Sequence, residues 1–281
     1  MRNFEERVFK FLMRLSAIII VGGFFLIVFT IAKKGIPAMN LDMITKVPQG
    51  GFYFGKEGGV LNAIIGSLYI ALGASVAALL ISIPIVIYLN VYLKKSSKLA
   101  AITRLAYDVL FGIPSIVYGA FGFTIMVYFG MRASLLGGII AVTLLVIPIM
   151  IRTIDEAIRT VPKDLVDATR SLGATRLESS RMVLRQSAAA ILTAILLAFG
   201  RGIGDAASVL FTAGFSDNIP TSLHDAAPTL PLAIFFQLSS PVKEVQARAY
   251  AAALILTIIV LLISISARLL SKRFSKNKIS S

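Results

Sequence analysis

The chain has 281 residues, of which 57% are hydrophobic and 15% charged, and its mean hydropathy of +0.86 excludes an ordinary soluble domain. The net charge of +14 does not indicate a nucleic-acid-binding protein, because the basic residues lie between apolar runs, where juxtamembrane Lys and Arg are expected. The absence of cysteine excludes disulfides and thiol chemistry, and a single histidine leaves little scope for a metal site.

Apolar runs of about 20 residues, the length that a helix needs to cross a bilayer, recur along the chain and predict an all-α integral membrane protein with six transmembrane helices. Prolines inside these runs, at positions 84, 114 and 148, predict kinks. The predicted spans are Leu15–Ala32, Val60–Leu93, Leu105–Phe129, Leu135–Ile151, Ser187–Ala213 and Ala249–Leu270.

Most of the 28 Lys and Arg residues fall in the segments that this order of spans places on one side of the membrane. By the positive-inside rule, that side is the cytoplasm, and both termini lie there. The first apolar run is longer than a signal-peptide core and lacks a small-residue cleavage site, so we expect it to stay in the membrane. The expected organisation is an N-terminal helix and outer loop (1–59), a transmembrane domain (60–271) and a basic cytoplasmic tail (272–281).

Residues 155–186, here called the coupling segment, are charged and yet have helical spacing. Pro162 suits the first position of a helix, and Gly173 suits its end. Thr175 and Glu178 have the spacing of a capping box for a second helix. Leu165, Ala168, Thr169 and Leu172 share one helix face. Two short helices joined at a glycine make a surface that can dock on a partner; the alternative is an amphipathic loop lying on lipid.

Arg201 and Asp205 are charges inside the fifth predicted span. Arg201 lies roughly 21 Å of helix from the cytoplasmic end of that span, where an unpaired charge is costly. Asp205 follows at i+4 and can partly neutralise it. Functionally, Arg201 would offer charge-assisted hydrogen bonds to an oxyanion on a solute path, and Asp205 would hold it or exchange with the solute. The alternative is a structural ion pair. Ser115 and Tyr118, which follow Pro114, are further candidates for lining the path.

Several motifs carry a resemblance to a known family. Asp167-Ala168-Thr169, then Gly173 and Val183, resembles the Glu-Ala-Ala…Gly signature of ABC importer permeases, with Asp in place of Glu and Thr in place of the second Ala. Four further stretches resemble phosphate-specific permeases of the PstA type, within the binding-protein-dependent transport system inner membrane component family. They are Phe111–Tyr118, Ala198–Asp205, Leu210–Ala213 and Thr229–Ala233.

The resemblance implies a type I ABC importer permease fold in a bacterial inner membrane. Asp167, Ala168, Thr169, Gly173 and Val183 would then couple the chain to a cytoplasmic ATP-binding subunit dimer, which would hold ATP and Mg. The other implied partners are a second homologous permease subunit and an external phosphate-binding protein. No P-loop motif occurs in the sequence, so we expect no P-loop ATP site on this chain. We also expect no cofactor, metal or catalytic residue on it.

Three alternatives remain open at this point. The solute could be another oxyanion, such as sulfate or molybdate, and the chain could be a secondary transporter or channel. Tyr107-Asp108 and Gly202-Ile203-Gly204-Asp205 also resemble the motifs of intramembrane aspartyl proteases. Asp205 lies roughly 27 Å along its span whereas Asp108 begins its own at the inner face, which argues against a shared proton.

Overall fold

The computed structural model describes residues 2–49, 57–94 and 96–275, and it is dominated by helices. The helices are α1 (Arg2–Gly35), α2 (Leu41–Thr45), α3 (Leu61–Ile87), α4 (Lys98–Phe111), α5 (Ser115–Tyr128), α6 (Leu135–Arg159), α7 (Lys163–Ser171), α8 (Arg176–Gln186), α9 (Ala188–Ile203), α10 (Leu230–Leu238) and α11 (Lys243–Ser275). A 3₁₀ turn at Ile36–Ala38 follows α1, and a π-helical turn at Tyr88–Tyr92 extends α3. Strands β1 (Pro48–Gln49) and β2 (Glu57–Gly58) form a small antiparallel pair. Lys95 of the second predicted loop, residues 50–56 of the first and residues 276–281 of the predicted tail lie outside the described residues.

The spans agree with the predicted number when bent helices are counted as single spans. Four stretches of the described chain are long and apolar enough to cross a membrane: Glu5–Ala38, Leu61–Tyr92, Leu135–Arg159 and Lys243–Leu270. Two more arise from helix pairs, α4 with α5 and α8 with α9, which are bent by 101° and 67°. The membrane-spanning all-α fold is therefore confirmed, with two of its spans broken.

The core of the bundle lies where α3, α6 and α9 pack together. Helix α6 is central to it, and Ala141, Val142, Val146 and Met150 are fully buried. Glycine allows the close approaches. A Cβ on Gly66 of α3 would lie 2.0 Å from the carbonyl oxygen of Pro228, so any side chain there would force the backbones apart. By contrast, the described side chains of α1 from Glu5 to Ile27 are exposed, and α1 contacts the bundle only towards its C-terminal end, beside α11.

The kink predicted at Pro114 is a full break. The third predicted span is divided at Gly112-Ile113-Pro114 into α4 and α5, because proline has no N–H to donate and its ring obstructs the preceding turn. The hydroxyl of Tyr118 donates to the carbonyl oxygen of Leu110 at 2.7 Å, which ties the two helices across the break. Pro84 and Pro148 lie inside helices that continue past them.

Several helices extend beyond their predicted spans, and two differences at the helix ends bear on the candidate site. The fourth span was predicted to end at Ile151, but α6 continues to Arg159 and carries the start of the coupling segment. The fifth was predicted to run to Ala213, but α9 ends at Ile203, and the following residues form turns. Three glycines before position 205 weaken the helix there, and the apolar composition of residues 206–213 does not reveal their turns.

The segment between α9 and α11 closes one end of the bundle. It contains α10, whose Leu230, Leu232 and Ala233 are buried. It also caps α6, because the backbone N–H groups of Leu135 and Leu136 donate to the carbonyl oxygens of Asp225 and Leu223 at 2.7 and 2.9 Å. The segment is therefore part of the folded bundle, although its residues after Ala213 were predicted only as a loop.

Candidate solute path and coupling surface

The charged pair lies at the end of α9. Arg201 Nη1 is 2.8 Å from Asp205 Oδ1, so the ion pair expected from the i+4 spacing forms even though Asp205 lies beyond the last helical residue. Arg201 is about 20 Å along α9 from its start at Ala188. Its side chain is 43% exposed, whereas the side chain of Asp205 is 3% exposed. The pair therefore has a buried anion and an exposed cation.

Asp205 has a second partner that fixes its position. Its Oδ2 accepts a hydrogen bond of 2.8 Å from the backbone N–H of Ser208, which closes the turn that follows α9. Both carboxylate oxygens are thus occupied, one by the turn and one by Arg201. Arg201 has no other hydrogen-bond or ionic partner among the described residues, so most of its five N–H donors are available to a group outside the chain. That geometry suits a group that meets an anion from outside the chain.

Helix α5, which carries the other two predicted path residues, contacts this turn. A Cβ on Gly119 would lie 2.8 Å from the carbonyl oxygen of Ala207, so α5 and the turn after Asp205 touch backbone to backbone. Ser115 begins α5 and is half-buried, but Tyr118 is buried and its hydroxyl is taken by Leu110. The structure therefore gives Tyr118 a structural contact, and its place on a solute path stays a prediction, as does that of Ser115.

The coupling segment forms the two helices that its spacing predicts. Pro162 immediately precedes α7, and Gly173 follows it with φ of +82°, a conformation that side chains rarely adopt. The capping box of α8 is present: the backbone N–H of Glu178 donates to the Thr175 hydroxyl, and the N–H of Thr175 donates to the Glu178 carboxylate at 2.8 Å. These signals were sufficient to predict α7 and α8 from the sequence because each depends only on residues that are neighbours in the chain.

Helix α7 lies on the bundle with one side and is open on the other. Leu165 and Val166 pack against the hydrophobic core, so the segment is held by the protein rather than lying free. Asp167 and Ala168 are exposed, and the apolar side chain of Leu172 is 89% exposed. The open side of α7 therefore carries two of the motif residues together with Leu172.

The remaining coupling candidates differ in their surroundings. Thr169 is half-buried, with its hydroxyl bonded to the carbonyl oxygen of Leu165, and Gly173 has nothing within 4 Å of its Cβ position. Val183 of α8 is 3% exposed and belongs to the core. Any contribution of Val183 to coupling would therefore act through packing, not through contact with a partner.

A buried polar cluster that was not predicted from the sequence lies at the start of the coupling segment. Asp155 of α6 is fully buried, and it accepts hydrogen bonds from Asn90, Arg104 and Tyr107 at 2.6 to 3.2 Å. These bonds join the π-helical turn after α3, helix α4 and helix α6. The available signal was Asn90, an amide inside an otherwise apolar run, but the sequence does not show that Asp155 belongs to α6. Asp108, the other carboxylate of the protease alternative, pairs with Arg152 at 3.6 Å, separately from Asp205.

Comparison with known proteins agrees with this architecture. Residues 82–276 match the family described as "Binding-protein-dependent transport system inner membrane component". The chain is 38% identical over 249 residues to the "Phosphate transport system permease protein PstA" of Xylella fastidiosa strain 9a5c, covering 87% of this chain and 84% of the relative. A protein of the same name from Yersinia pestis is 38% identical over 93% of this chain and 88% of its own length. The "Probable ABC transporter permease protein YqgI" of Bacillus subtilis is 31% identical over 92% of this chain and 91% of its own length.

A solved structure supports the fold independently. The chain is similar to one from an inward-facing conformation of the MetNI methionine ABC transporter, with a TM-score of 0.61 and 18% identity over 75% of this chain and 94% of that chain. At that identity the likeness concerns the fold alone, which is that of a type I ABC importer permease. The family match and the relatives confirm the resemblance found in the motifs. The chain therefore belongs to the binding-protein-dependent transport system inner membrane component family.

Proposed function

We propose that the chain is the membrane-spanning permease subunit of an ATP-driven importer and that it passes inorganic phosphate delivered by an external binding protein. The observation that carries the proposal is the Arg201 guanidinium. It is held by a buried carboxylate, it is exposed on the surface of the chain, and it lies about 20 Å along a span. The curated relatives named as phosphate transport permeases support the choice of solute.

Arg201 needs a polar environment outside this chain. A guanidinium facing lipid at that depth would cost several kcal/mol, so its exposed face meets water, solute or a second protein. A second homologous permease subunit packed against this face would close a path between the two chains. A planar guanidinium can then donate two parallel hydrogen bonds to a phosphate while Asp205 keeps it oriented.

The energy would come from a separate subunit. We place the coupling segment in the cytoplasm, with both termini on that side, where the exposed Asp167, Ala168 and Leu172 face a dimer of ATP-binding subunits. ATP and Mg would be bound there, and this chain would perform no hydrolysis itself. Helices commonly dock by placing an apolar face in a partner's groove, and Leu172 would be the apolar residue that the partner covers.

The identity of the solute is tested by competition between oxyanions for uptake. Cells that express the chain together with its transport partners should take up radiolabelled phosphate, and unlabelled phosphate should compete far better than sulfate or molybdate. Efficient competition by sulfate or molybdate would assign another oxyanion. Phosphate uptake that is unchanged when the chain is deleted would overturn the proposal.

A further inference from the structure

A basic cavity of about 900 Å³ lies between the short helices α7 and α8 and the ends of the long helices. It is bounded by the π-helical turn after α3, by α4, by the last turn of α6, and by α7 and α8. Its charged lining residues are Lys94, Arg104, Arg159, Asp167, Arg170 and Arg176. The cavity is separate from the Arg201 pair, which lies towards the opposite end of α9.

The side chains that line the cavity have an excess of positive charge. Five cationic side chains face one carboxylate, that of Asp167. Arg104 is neutralised by Asp155 behind the wall, at 3.0 Å. Within the described part of the chain, the other four cations form no salt bridge. Like charges around one cavity repel each other, and a bound anion would relieve this repulsion.

The walls are built to hold such an anion. One wall is rigid, because Asn90 and Arg104 belong to the hydrogen-bonded cluster around Asp155. The guanidinium of Arg176 lies 5.7 Å from the ring centroid of Tyr92, which orients it at the rim. Ile158, Val161 and Val183 add apolar lining and are buried, which lowers the local dielectric and strengthens ionic contacts. Arginine is the side chain best suited to phosphate oxygens, and three of the four unpaired cations are arginines.

We propose that this basic cavity binds a phosphate group and that the bound group ties α7 and α8 to the ends of α3 and α6. Arg170 and Arg176 lie on the short helices α7 and α8, whereas Lys94 follows the π-helical turn after α3 and Arg159 is the last residue of α6. One multiply charged anion can contact both sets at once. The phosphate comes from free inorganic phosphate or from the headgroup of an anionic lipid, since the cavity lies at the ends of the spans. The site goes beyond the proposed transport path and does not depend on it.

The test uses the assembled transporter, purified in a neutral detergent, and compares charge removal inside and outside the cavity. The cavity variant is Arg170→Gln with Arg176→Gln. The control is Arg181→Gln with Arg185→Gln, which removes the same charge from exposed positions of α8 that do not line the cavity. Lys94→Gln, on the opposite wall, should give an intermediate effect and shows whether the two walls share one ligand.

Two probes distinguish the sources. Radiolabelled inorganic phosphate is measured by equilibrium dialysis, and lipid retention is measured by native mass spectrometry from nanodiscs of phosphatidylcholine with or without phosphatidylglycerol. We expect one of the two ligands to bind saturably, with at least a tenfold loss in the cavity variant and no loss in the control. Binding should persist in Arg201→Gln, which separates the cavity from the transport path.

Other outcomes would overturn the proposal. If the cavity variant and the control variant bind each ligand equally well, the binding is due to general surface charge and not to the cavity. If neither inorganic phosphate nor the anionic lipid binds saturably to the parent protein, no phosphate site exists in this cavity. Loss of the ATP-binding subunit from the cavity variant, with neither probe bound by the parent protein, would assign these arginines to a protein interface instead.

Discussion

Arg201 and Asp205 have different surroundings, and this difference allows their roles to be separated by substitution. Asp205 has both oxygens occupied and is buried, whereas Arg201 is exposed and has a single ionic partner among the described residues. Replacing Arg201 with alanine removes the cation from the proposed path but also leaves a buried carboxylate unpaired. We therefore expect stability and uptake to fall together in Arg201→Ala, and this variant alone does not distinguish the two roles.

Arg201→Lys is the sharper first variant because it keeps the charge. If a phosphate uses the two-pronged guanidinium, the lysine variant should lose about 10- to 100-fold in phosphate uptake, the equivalent of one or two charge-assisted hydrogen bonds. The protein yield in the membrane fraction should stay near that of the parent protein. The measurement is radiolabelled phosphate uptake normalised to that yield.

The neutral double variant completes the set. Arg201→Gln with Asp205→Asn removes both charges and keeps an acceptor for the Ser208 N–H. If the pair only packs, removing both partners should be nearly neutral for uptake and for stability. We expect stability to recover and uptake to remain lost. Normal uptake in the double variant would place both residues outside the solute path.

Asp225 gives a pH-dependent prediction outside the spans. Its Oδ2 accepts hydrogen bonds from the backbone N–H groups of Thr221 and Ser222. These bonds lower the pKa of the Asp225 carboxyl, and the bond from Thr221 has the largest effect. The bonds hold the loop whose carbonyl oxygens cap α6. The stabilisation is complete above the unfolded-state pKa of about 4 and is lost as the pH falls through the lower folded-state pKa.

Thermal unfolding at a series of pH values checks this linkage. As the pH falls from roughly 5 to roughly 3, a range centred on the unfolded-state pKa of Asp, the Tm of the parent protein should fall more steeply than the Tm of Asp225→Asn. Other carboxylates titrate over the same range in both proteins, so the difference between the two curves is the quantity to measure. Parallel curves would mean that the Asp225 contacts do not stabilise the loop.

At the scale of the elements, the turn between α7 and α8 depends on Gly173. Its φ of +82° is strained for any side chain, and it has nothing within 4 Å of its Cβ position, so a substitution there acts through the backbone and not through a clash. We expect Gly173→Val to misalign α7, so that ATP hydrolysis by the assembled transporter continues while phosphate uptake falls at least severalfold.

Gly130 provides the matched control. It also has a positive φ, +66°, and open space around its Cβ position, but it lies between α5 and α6, away from the coupling segment. Gly130→Val should lower the Tm to a similar extent and leave the ratio of ATP hydrolysed to phosphate transported unchanged. An unchanged ratio in Gly173→Val, or an equal change in both variants, would count against the coupling role.

The elements also show what the sequence can predict. Hydropathy located all six spans, and local chemistry located the helix ends around Gly173 and Thr175, because these signals need only neighbouring residues. Helix α10 was missed since a nine-residue apolar helix is too short to be recognised as a span. The Asp155 cluster was missed because its hydrogen bonds join residues 48 to 65 positions apart, and no local pattern encodes them.

Tyr118 illustrates the same limit at the candidate site. Its position after Gly112-Ile113-Pro114 suggested a pore-lining residue, but whether a tyrosine faces a path or a neighbouring carbonyl depends on the angle of the helix break. The 101° bend brings the hydroxyl to Leu110. The ion pair of Arg201 and Asp205 was predictable because an i+4 spacing at the end of a helix lets the two side chains meet even where the helix itself stops.

At the scale of the whole molecule, the proposed orientation can be tested on a favourable background. The chain has no cysteine, so each engineered cysteine is the only thiol. We expect Ser171→Cys, in the coupling segment, to react with a membrane-impermeant maleimide only in inverted vesicles or permeabilised cells. His224→Cys, in the segment that caps α6, should react in intact cells. Labelling with the opposite preference would reverse the proposed topology.

The most direct test of the central claim is phosphate uptake in reconstituted liposomes. The purified chain is inserted with its permease partner, the ATP-binding subunit and the phosphate-binding protein, and each component is omitted in turn. We expect radiolabelled phosphate to accumulate only when ATP, the ATP-binding subunit and the binding protein are all present, and not to accumulate when this chain is left out. Uptake by this chain alone, driven by a proton or sodium gradient, would contradict the account.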